Sequence, residues 1–263
     1  QPITGYPTDV YMHVLSYFLG GILGLPKLFF VITSFIFGYF YATALSKILR
    51  WNKRDKKPFI FIFIVLLFIV HRGVDTMQSV RTWTGMWILF NGVLGYLQTN
   101  QKKYLILMAA APLIHFAYFA MAIPAYLIIF IRKLSPKIFI IIYISSFFIN
   151  INPSGIITKL KRNELGEQKV QSYYDPKEDP ILARTQNKNL NWYAEFGKRK
   201  ATNIGGNAFA ITLILCGFFR KRMTKIEAGL FSTGLLMASM ANFGDFVFTF
   251  YSRTMANAVL YIL

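Results

Sequence analysis

The stretch YLILMAAAPLIHFAYFAMAIPAYLIIFI, residues 104–131, decides how this chain is arranged. It is apolar throughout apart from His115, and basic clusters flank both of its ends, NQKK at 100–103 and RKLSPK at 132–137. Clusters of this kind are typical of cytoplasmic loops, so a single span with one cluster outside conflicts with the charge rule. Pro112 and Pro124 favour breaks, because proline removes a helical hydrogen bond. We therefore predict two short limbs that turn near His115. The alternative, one tilted span, would invert everything after it.

The composition indicates a membrane protein. The 263 residues are 55% hydrophobic, with 26 phenylalanines and a mean hydropathy of +0.43. A soluble domain is usually less apolar, and long apolar runs recur along the chain. We predict an all-α, polytopic transmembrane helical bundle, a single integral membrane domain over 1–263. Since the sequence begins at Gln1 and ends inside the apolar run MANAVLYIL, we expect spans to be missing at one or both ends.

The net charge of +18 has two interpretations. Lysine and arginine can simply flank the spans on the cytoplasmic side, or they can serve an anionic ligand. Nucleic acid is a poor candidate because no RNP, helix-turn-helix or zinc-binding pattern is present. The single cysteine, Cys216, excludes an intrachain disulfide.

Charge and hydropathy together give a topology. The predicted spans are 26–45, 58–70, 81–97, the two limbs, 138–151, 209–219, 226–243 and a return beginning at Thr254. This order places residues 152–207 in a long outer, periplasmic loop, either a solvated connector or a lid that binds substrate. The motif NIGGN at 203–207 predicts a flexible join between this loop and the next span.

The motifs of common enzyme classes are missing from the sequence. There is no Walker A, GxSxG, HExxH or CxxC pattern, and no Cys or His pair has metal-ligand spacing. What remains are ionisable residues near the outer face, which at membrane depth are functional candidates by default. They are Asp9, His71, Arg72, Asp75, Arg81, His115, Asp245 and Arg253.

Two arginines share one sequence pattern. Arg81 precedes the apolar run TWTGMWILF, and Arg253 in YSRTMAN is predicted to open a helix in the same way. Each can snorkel to the interface, or it can bind an anion together with the positive end of its helix. Two such arginines on one face would suit a diphosphate.

The other candidates also have two interpretations. His115 is either a hydrogen-bonded core residue or an acid, base or ligand. Asp9 either shares a helix face with His13 or caps the helix. Asp75 and Asp245 are caps or site residues, with nothing in the sequence to separate the two.

Several of these motifs resemble the bacterial polysaccharide polymerases of the Wzy and exopolysaccharide-polymerase (EpsG-like) group. The similarity lies in the upstream TDVYMH, the arginine that opens RTWTGMWILF, the basic turn NQKK, the following HFAYF, the long loop and the late YSRTMAN. The chain departs from that pattern at Ala117, where the group often has a hydroxyl residue.

This resemblance implies a metal-independent glycosyltransferase of the bacterial inner membrane that needs no cofactor. Its donor and acceptor would be oligosaccharide repeat units linked to undecaprenyl diphosphate, joined on the periplasmic side into O-antigen or a related surface polysaccharide. Arg81 and Arg253, helped by Arg72, would stabilise the diphosphate leaving group. His115, or else Asp9 or His71, would act on the acceptor hydroxyl. Membrane lipid and a chain-length regulator are the further partners that the resemblance implies.

Two other functions fit the same sequence. One is a membrane acyltransferase that modifies surface sugars, for which Asp9 and His13 are the nearest catalytic pair. The other is a flippase or transporter of a lipid-linked glycan, which would favour repeated halves with broken helices. No internal repeat is visible, and the 104–131 hairpin is the single candidate break.

Overall fold

A computed structural model describes part of the chain. The described residues are 10–51, 62, 65, 66, 69, 80–131, 135–149, 204–208, 210–212, 214, 215, 223–244 and 248–262. All regular secondary structure in these ranges is helical and no strand occurs in them, which confirms the all-α class for this part of the chain.

The described helices follow in chain order. They are α1 (Val10–Ser16), continued by the π-helical turns Tyr17–Ile22, then α2 (Leu28–Trp51), α3 (Val80–Thr99), α4 (Lys103–Ile114), α5 (Tyr118–Phe130), α6 (Pro136–Ser145), α7 (Lys225–Phe243) and α8 (Phe248–Ile262). Residues 204–208 and several between 210 and 215 are also helical. The chain forms two compact units: residues 1–133 with 223–230 and 263, and residues 134–222 with 231–262.

Helix α3 is the buried centre of the first unit. Its fourteen residues from Thr82 to Gly95 are all buried. The helix ends at Thr99. The next residue, Asn100, adopts a left-handed backbone with φ 59° and donates its N–H to the Tyr96 carbonyl at 2.8 Å. Asparagine tolerates this conformation, which terminates helices. The chain can therefore reverse within three residues into α4.

Glycines allow α4 to approach α3 closely. A Cβ at Gly92 would overlap the Met108 side chain and lie 3.1 Å from the Met108 nitrogen and the Tyr104 carbonyl oxygen. A Cβ at Gly95 would overlap the Tyr104 ring. Because Gly95 faces Tyr104 and Gly92 faces Met108, the two helices run antiparallel.

The predicted turn near His115 is confirmed. His115 has an extended backbone, φ −151° and ψ 126°, which ends α4, and α5 begins at Tyr118. The Tyr126 hydroxyl of α5 donates to the Leu105 carbonyl of α4 at 2.8 Å. In one continuous helix these residues would be about 30 Å apart, so α4 and α5 form an antiparallel hairpin. The expectation of breaks at the prolines was wrong, since Pro112 lies inside α4 and Pro124 inside α5.

Helix α2 packs on another face of α3. The Asn91 amide donates to the Phe40 carbonyl at 2.7 Å and to the Trp87 carbonyl at 2.8 Å. The Tyr41 and Trp87 rings meet edge to face at 5.1 Å. A buried amide that bridges two helices in this way fixes their register, because an unpaired amide would be costly inside an apolar core.

Helix α2 is longer than predicted. The expected end near Leu45 was wrong, because the helix continues through Lys47 and Arg50 to Trp51. Lysine, leucine and arginine all favour helix, and cations are stabilised near a helix C-terminus. Lys47 therefore belongs to the last turns of α2.

Large apolar side chains remain exposed on most of these helices. Phe30 of α2 is 74% exposed, and Phe130 at the end of α5 is 77% exposed. Of the described helices, Leu28–Arg50 is long and apolar enough to cross a membrane. Shorter apolar helices are Val10–Ile22, Lys103–Ile114, Tyr118–Phe130 and Pro136–Ser145.

The second unit is joined by side-chain hydrogen bonds. The Tyr143 hydroxyl of α6 donates to Asn207 Oδ1 at 2.7 Å, and Asn207 Nδ2 donates to the Tyr251 hydroxyl of α8 at 3.0 Å. Asn242 Nδ2 of α7 donates to Ser146 Oγ at 2.8 Å. Residues 204–208 are helical, so the prediction of a flexible join at NIGGN was wrong. Asn207 holds this segment between two buried tyrosines.

Two predicted segments lie only partly within the described residues. The outer loop 152–207 lies outside the described residues except at 204–207, and the span 58–70 is described at four positions, all helical. The predicted spans 81–97 and 226–243 match α3 and α7 closely.

Substitution of Gly92 by alanine tests the α3–α4 contact. The added methyl has no space against the α4 backbone, so we expect Gly92→Ala to lower the free energy of unfolding by about 1–3 kcal/mol. Gly38→Ala is the matched control, since Gly38 also lies within a helix but has no atom within 4 Å of its added Cβ. It should raise stability by about 0.5–1 kcal/mol. Thermal unfolding in detergent measures both, and equal shifts would contradict the close approach.

Candidate functional site

Three of the eight predicted site residues lie in the described part of the chain. Arg81 and His115 belong to the first unit and Arg253 to the second. The remaining five lie outside the described residues: Asp9, His71, Arg72, Asp75 and Asp245.

Arg81 begins α3, as predicted. It is the second residue of the helix, it is half-buried, and every residue from Thr82 to Gly95 beyond it is buried. Arg81 thus lies where the buried part of α3 begins. No acidic residue occurs in the first turn, so the positive end of the helix dipole and the arginine have the same sign. This combination favours an anion.

His115 is buried at the α4–α5 turn, with 4% of its surface exposed. Its N–H donates to the Ala111 carbonyl at 3.1 Å, and its carbonyl accepts from the Tyr118 N–H at 3.0 Å. The imidazole and the Tyr118 ring are 6.3 Å apart. The extended backbone of His115 separates the two helices, which turns its side chain out of the regular helical rows.

Tyr118 joins this turn to the first turn of α3. Its hydroxyl donates to the Thr82 carbonyl at 2.6 Å, and both residues are buried. A Cβ at Gly85 would overlap the Tyr118 ring, so the ring can lie across α3 only because residue 85 is glycine. Thr82 is the neighbour of Arg81, and Tyr118 follows His115 by three residues. The structure therefore places His115, at the turn of the α4–α5 hairpin, near the end of α3 at which Arg81 lies.

A buried hydroxyl accompanies them. Thr84 is fully buried, three residues after Arg81, and its Oγ1 makes no hydrogen bond within the described part of the chain. Residues three apart are neighbours on a helix surface. Sequence analysis did not single out Thr84, Gly85 or Tyr118. The signal was present in the glycine within TWTGMW and the tyrosine within HFAYF, but only a close helix contact connects them.

Arg253 does not open a helix, so that prediction was wrong. Helix α8 begins at Phe248, and Arg253 is its sixth residue, beyond the first turn. Its carbonyl accepts a hydrogen bond from Asn257 Nδ2 at 2.9 Å. The residues from Phe248 to Tyr251 precede Arg253 and supply the first helical turn. Arg253 can still bind an anion through its side chain, but not together with the amide groups of a helix N-terminus.

The arrangement in the first unit can do two things chemically. A guanidinium can bind two oxygens of a phosphate at once. An imidazole within reach of a hydroxyl can accept its proton. Among the described residues, no group of three or more His, Cys, Asp or Glu side chains could hold a metal ion.

Removal of the Tyr118 hydroxyl tests the tie between His115 and α3. Tyr118→Phe keeps the ring over Gly85 but loses the bond to Thr82, so we expect stability to fall by about 1 kcal/mol. Tyr39→Phe is the control, because Tyr39 is exposed on α2. Thermal unfolding gives the comparison, and an unchanged midpoint for Tyr118→Phe would argue against the bond.

No protein-family model, curated protein or solved structure significantly matches this chain.

Proposed function

We propose that this chain is a polytopic membrane protein of the bacterial inner membrane. The support is the exposed apolar surface of its helices, since soluble proteins rarely expose large contiguous apolar patches. At about 25 cal/mol for each Å² of apolar area, lipid contact would stabilise such a surface strongly. Helix α3, with 20 residues, is about 30 Å long, which matches the hydrocarbon thickness.

The hairpin α4–α5 would enter this membrane without crossing it. Its helices have 12 and 13 residues and are therefore about 18–20 Å long. Its backbone turn at His115 lies in a buried position, which is where non-helical backbone is tolerated at membrane depth. In the sequence, NQKK lies at the start of α4 and RKLSPK comes after α5, so the two basic clusters flank the open end of the hairpin. By the positive-inside rule, Arg81 and His115 would then face the periplasm.

Cysteine labelling tests this topology. We expect Val170→Cys to react with a membrane-impermeant reagent from the periplasmic side and Met223→Cys to react from the cytoplasm, both in a Cys216→Ser background. The opposite pattern, with position 170 accessible only from the cytoplasm, would refute the proposed orientation.

We propose further that the site transfers a glycan from a lipid diphosphate, as in the polymerases that the sequence resembles. The observation that carries this proposal is that Tyr118, whose ring lies 6.3 Å from the His115 ring, donates its hydroxyl to the carbonyl of Thr82, the residue next to Arg81. A leaving diphosphate and an acceptor hydroxyl are the two groups that such a pair serves. A carboxylate dyad or a metal, which other glycosyl-transfer sites use, plays no part in this proposal.

The proposed step has a simple balance. A hydroxyl oxygen of the acceptor repeat unit attacks the anomeric carbon of the donor chain. The bond from that carbon to the phosphate oxygen breaks, and undecaprenyl diphosphate leaves with the electron pair. Arg81 stabilises the charge that develops on the diphosphate. His115 accepts the proton of the hydroxyl.

The other candidate residues have secondary roles in this proposal. Arg72 would add contacts to the diphosphates, and Asp9 or His71 would orient the acceptor. Asp75 would act as a hydrogen-bonding partner. The apolar exterior of α2 and α5 would accommodate the undecaprenyl chains.

An extension assay tests the activity. Purified protein, given undecaprenyl diphosphate-linked repeat units without nucleotide, CoA or metal, should lengthen the glycan. We expect Arg81→Ala to reduce the rate by about a hundredfold or more, the typical loss for one group that stabilises transition-state charge. His115→Gln should reduce it by about 10²–10⁴.

Matched controls separate chemistry from general charge and folding. Arg50→Ala removes an exposed arginine from the far end of α2, and His13→Gln removes an exposed histidine from α1. Both should retain the rate of the wild type. If no glycan extension occurs and Arg81→Ala still supports glycan export in cells, the polymerase proposal fails.

A further inference from the structure

Two lysines from different helices meet at Tyr104. Lys47 lies near the C-terminal end of α2, and Lys103 is the first residue of α4. Their ammonium nitrogens lie 5.0 Å and 5.2 Å from the centre of the Tyr104 ring. This end of the first unit is opposite the Arg81 end, because Gly95, which faces Tyr104, is fourteen residues along α3 from Arg81, or about 21 Å.

The ring that these lysines share is held in place. Tyr104 lies against Gly95, where a Cβ would overlap the ring. Lys47 is half-buried and donates from its Nζ to the Asn91 carbonyl at 3.3 Å. The Lys47 ammonium is therefore held by a backbone hydrogen bond and a ring contact, and the Lys103 ammonium by a ring contact.

Nothing in the described part of the chain neutralises the pair. Neither lysine forms an ion pair with a described residue, and Glu227 is the one acidic residue in the described ranges. The Glu227 carboxylate accepts the Thr224 N–H at 2.7 Å, which caps α7. Cation–π contacts to one ring stabilise each ammonium only weakly in exposed settings. That offsets little of the cost of bringing like charges together where water is partly excluded.

The start of α4 adds positive potential at the same place. Its first turn has no acidic residue, and its N-cap Lys102 makes no side-chain capping bond. The helix begins one residue before Tyr104, so the positive end of its dipole lies beside the ring. An anion there would meet the two ammonium groups together with the helix terminus.

We propose that Lys47, Lys103 and Tyr104 bind a phosphate group, with the Tyr104 hydroxyl as a further donor. Phosphate fits because its several oxygens accept hydrogen bonds from separate donors at once. The group can belong to the headgroup of an anionic phospholipid or to free phosphate. This site is independent of the proposed glycan transfer, which involves the other end of α3.

Binding measurements on the full-length chain in a phosphate-free detergent test the proposal. The probes are phosphatidylglycerol, zwitterionic phosphatidylcholine and inorganic phosphate, with bound species counted by native mass spectrometry. We expect the wild type to retain phosphatidylglycerol or inorganic phosphate in preference to phosphatidylcholine. Lys47→Gln/Lys103→Gln should weaken that binding about tenfold for each lysine.

The matched control removes the same charge from the same end of the same two helices. Arg50→Gln/Lys102→Gln alters exposed residues that make no contact with the Tyr104 ring in the described structure, so it should change the affinity by about threefold or less. Equal weakening by the two double variants would show diffuse charge attraction and overturn the site. So would equal retention of phosphatidylglycerol and phosphatidylcholine without phosphate binding.

Two variants guard against loss of folding. Lys103 is exposed, so Lys103→Gln alone should fold and still lose about tenfold in affinity. Lys47→Arg/Lys103→Arg keeps both charges and should retain most binding. Retention of phosphatidylglycerol alone identifies a lipid headgroup as the source, and binding of inorganic phosphate identifies the free anion.

Discussion

The close approach of α4 to α3 across Gly92 is the contact on which the first unit depends. With no side chain at residue 92, the backbone of α4 reaches within ordinary contact distance of α3, and the flanking Gly85 and Gly95 accept tyrosine rings. Dispersion between helices increases steeply with closeness, so the absence of side chains at these three positions of α3 allows Met108 and the two tyrosine rings to pack directly on its backbone. Because α3 and α4 are antiparallel, the chain reverses direction between them, at residues 100–102.

The two proposed sites lie near the two ends of α3. At one end Tyr118 lies over Gly85 and ties His115 to the helix that begins with Arg81. At the other, Tyr104 lies over Gly95 and receives the ammonium groups of two lysines. In both places a glycine in α3 admits a tyrosine from the hairpin, and the tyrosine positions a charged or titratable side chain. The same kind of glycine–tyrosine contact therefore supports both proposed sites.

Polar side chains inside the apolar bundle specify the rest of the arrangement. Asn91 bridges α2 and α3 through two carbonyl groups, and in the second unit Asn207 lies between Tyr143 and Tyr251. Leaving any of these groups unpaired would cost more than the bond itself contributes. Such residues thus select one register among many apolar packings of similar energy.

The sequence by itself determined the all-α class, the start of α3 within one residue of Arg81 and the turn near His115. Hydropathy, helix propensity and flanking charge act locally, and they can be read from neighbouring residues. Only the tertiary structure decided that Lys47 faces Tyr104, that Asn207 is held rather than flexible, and that Tyr118 reaches Thr82. Each of these depends on contacts between residues 36 or more positions apart, such as Tyr118 with Thr82 and Tyr143 with Asn207. The prediction that Arg253 opens a helix was wrong because α8 already begins at Phe248, within the apolar run that precedes the arginine. Local pattern sets which segments are helical, whereas the space beside three glycines sets which side chains meet.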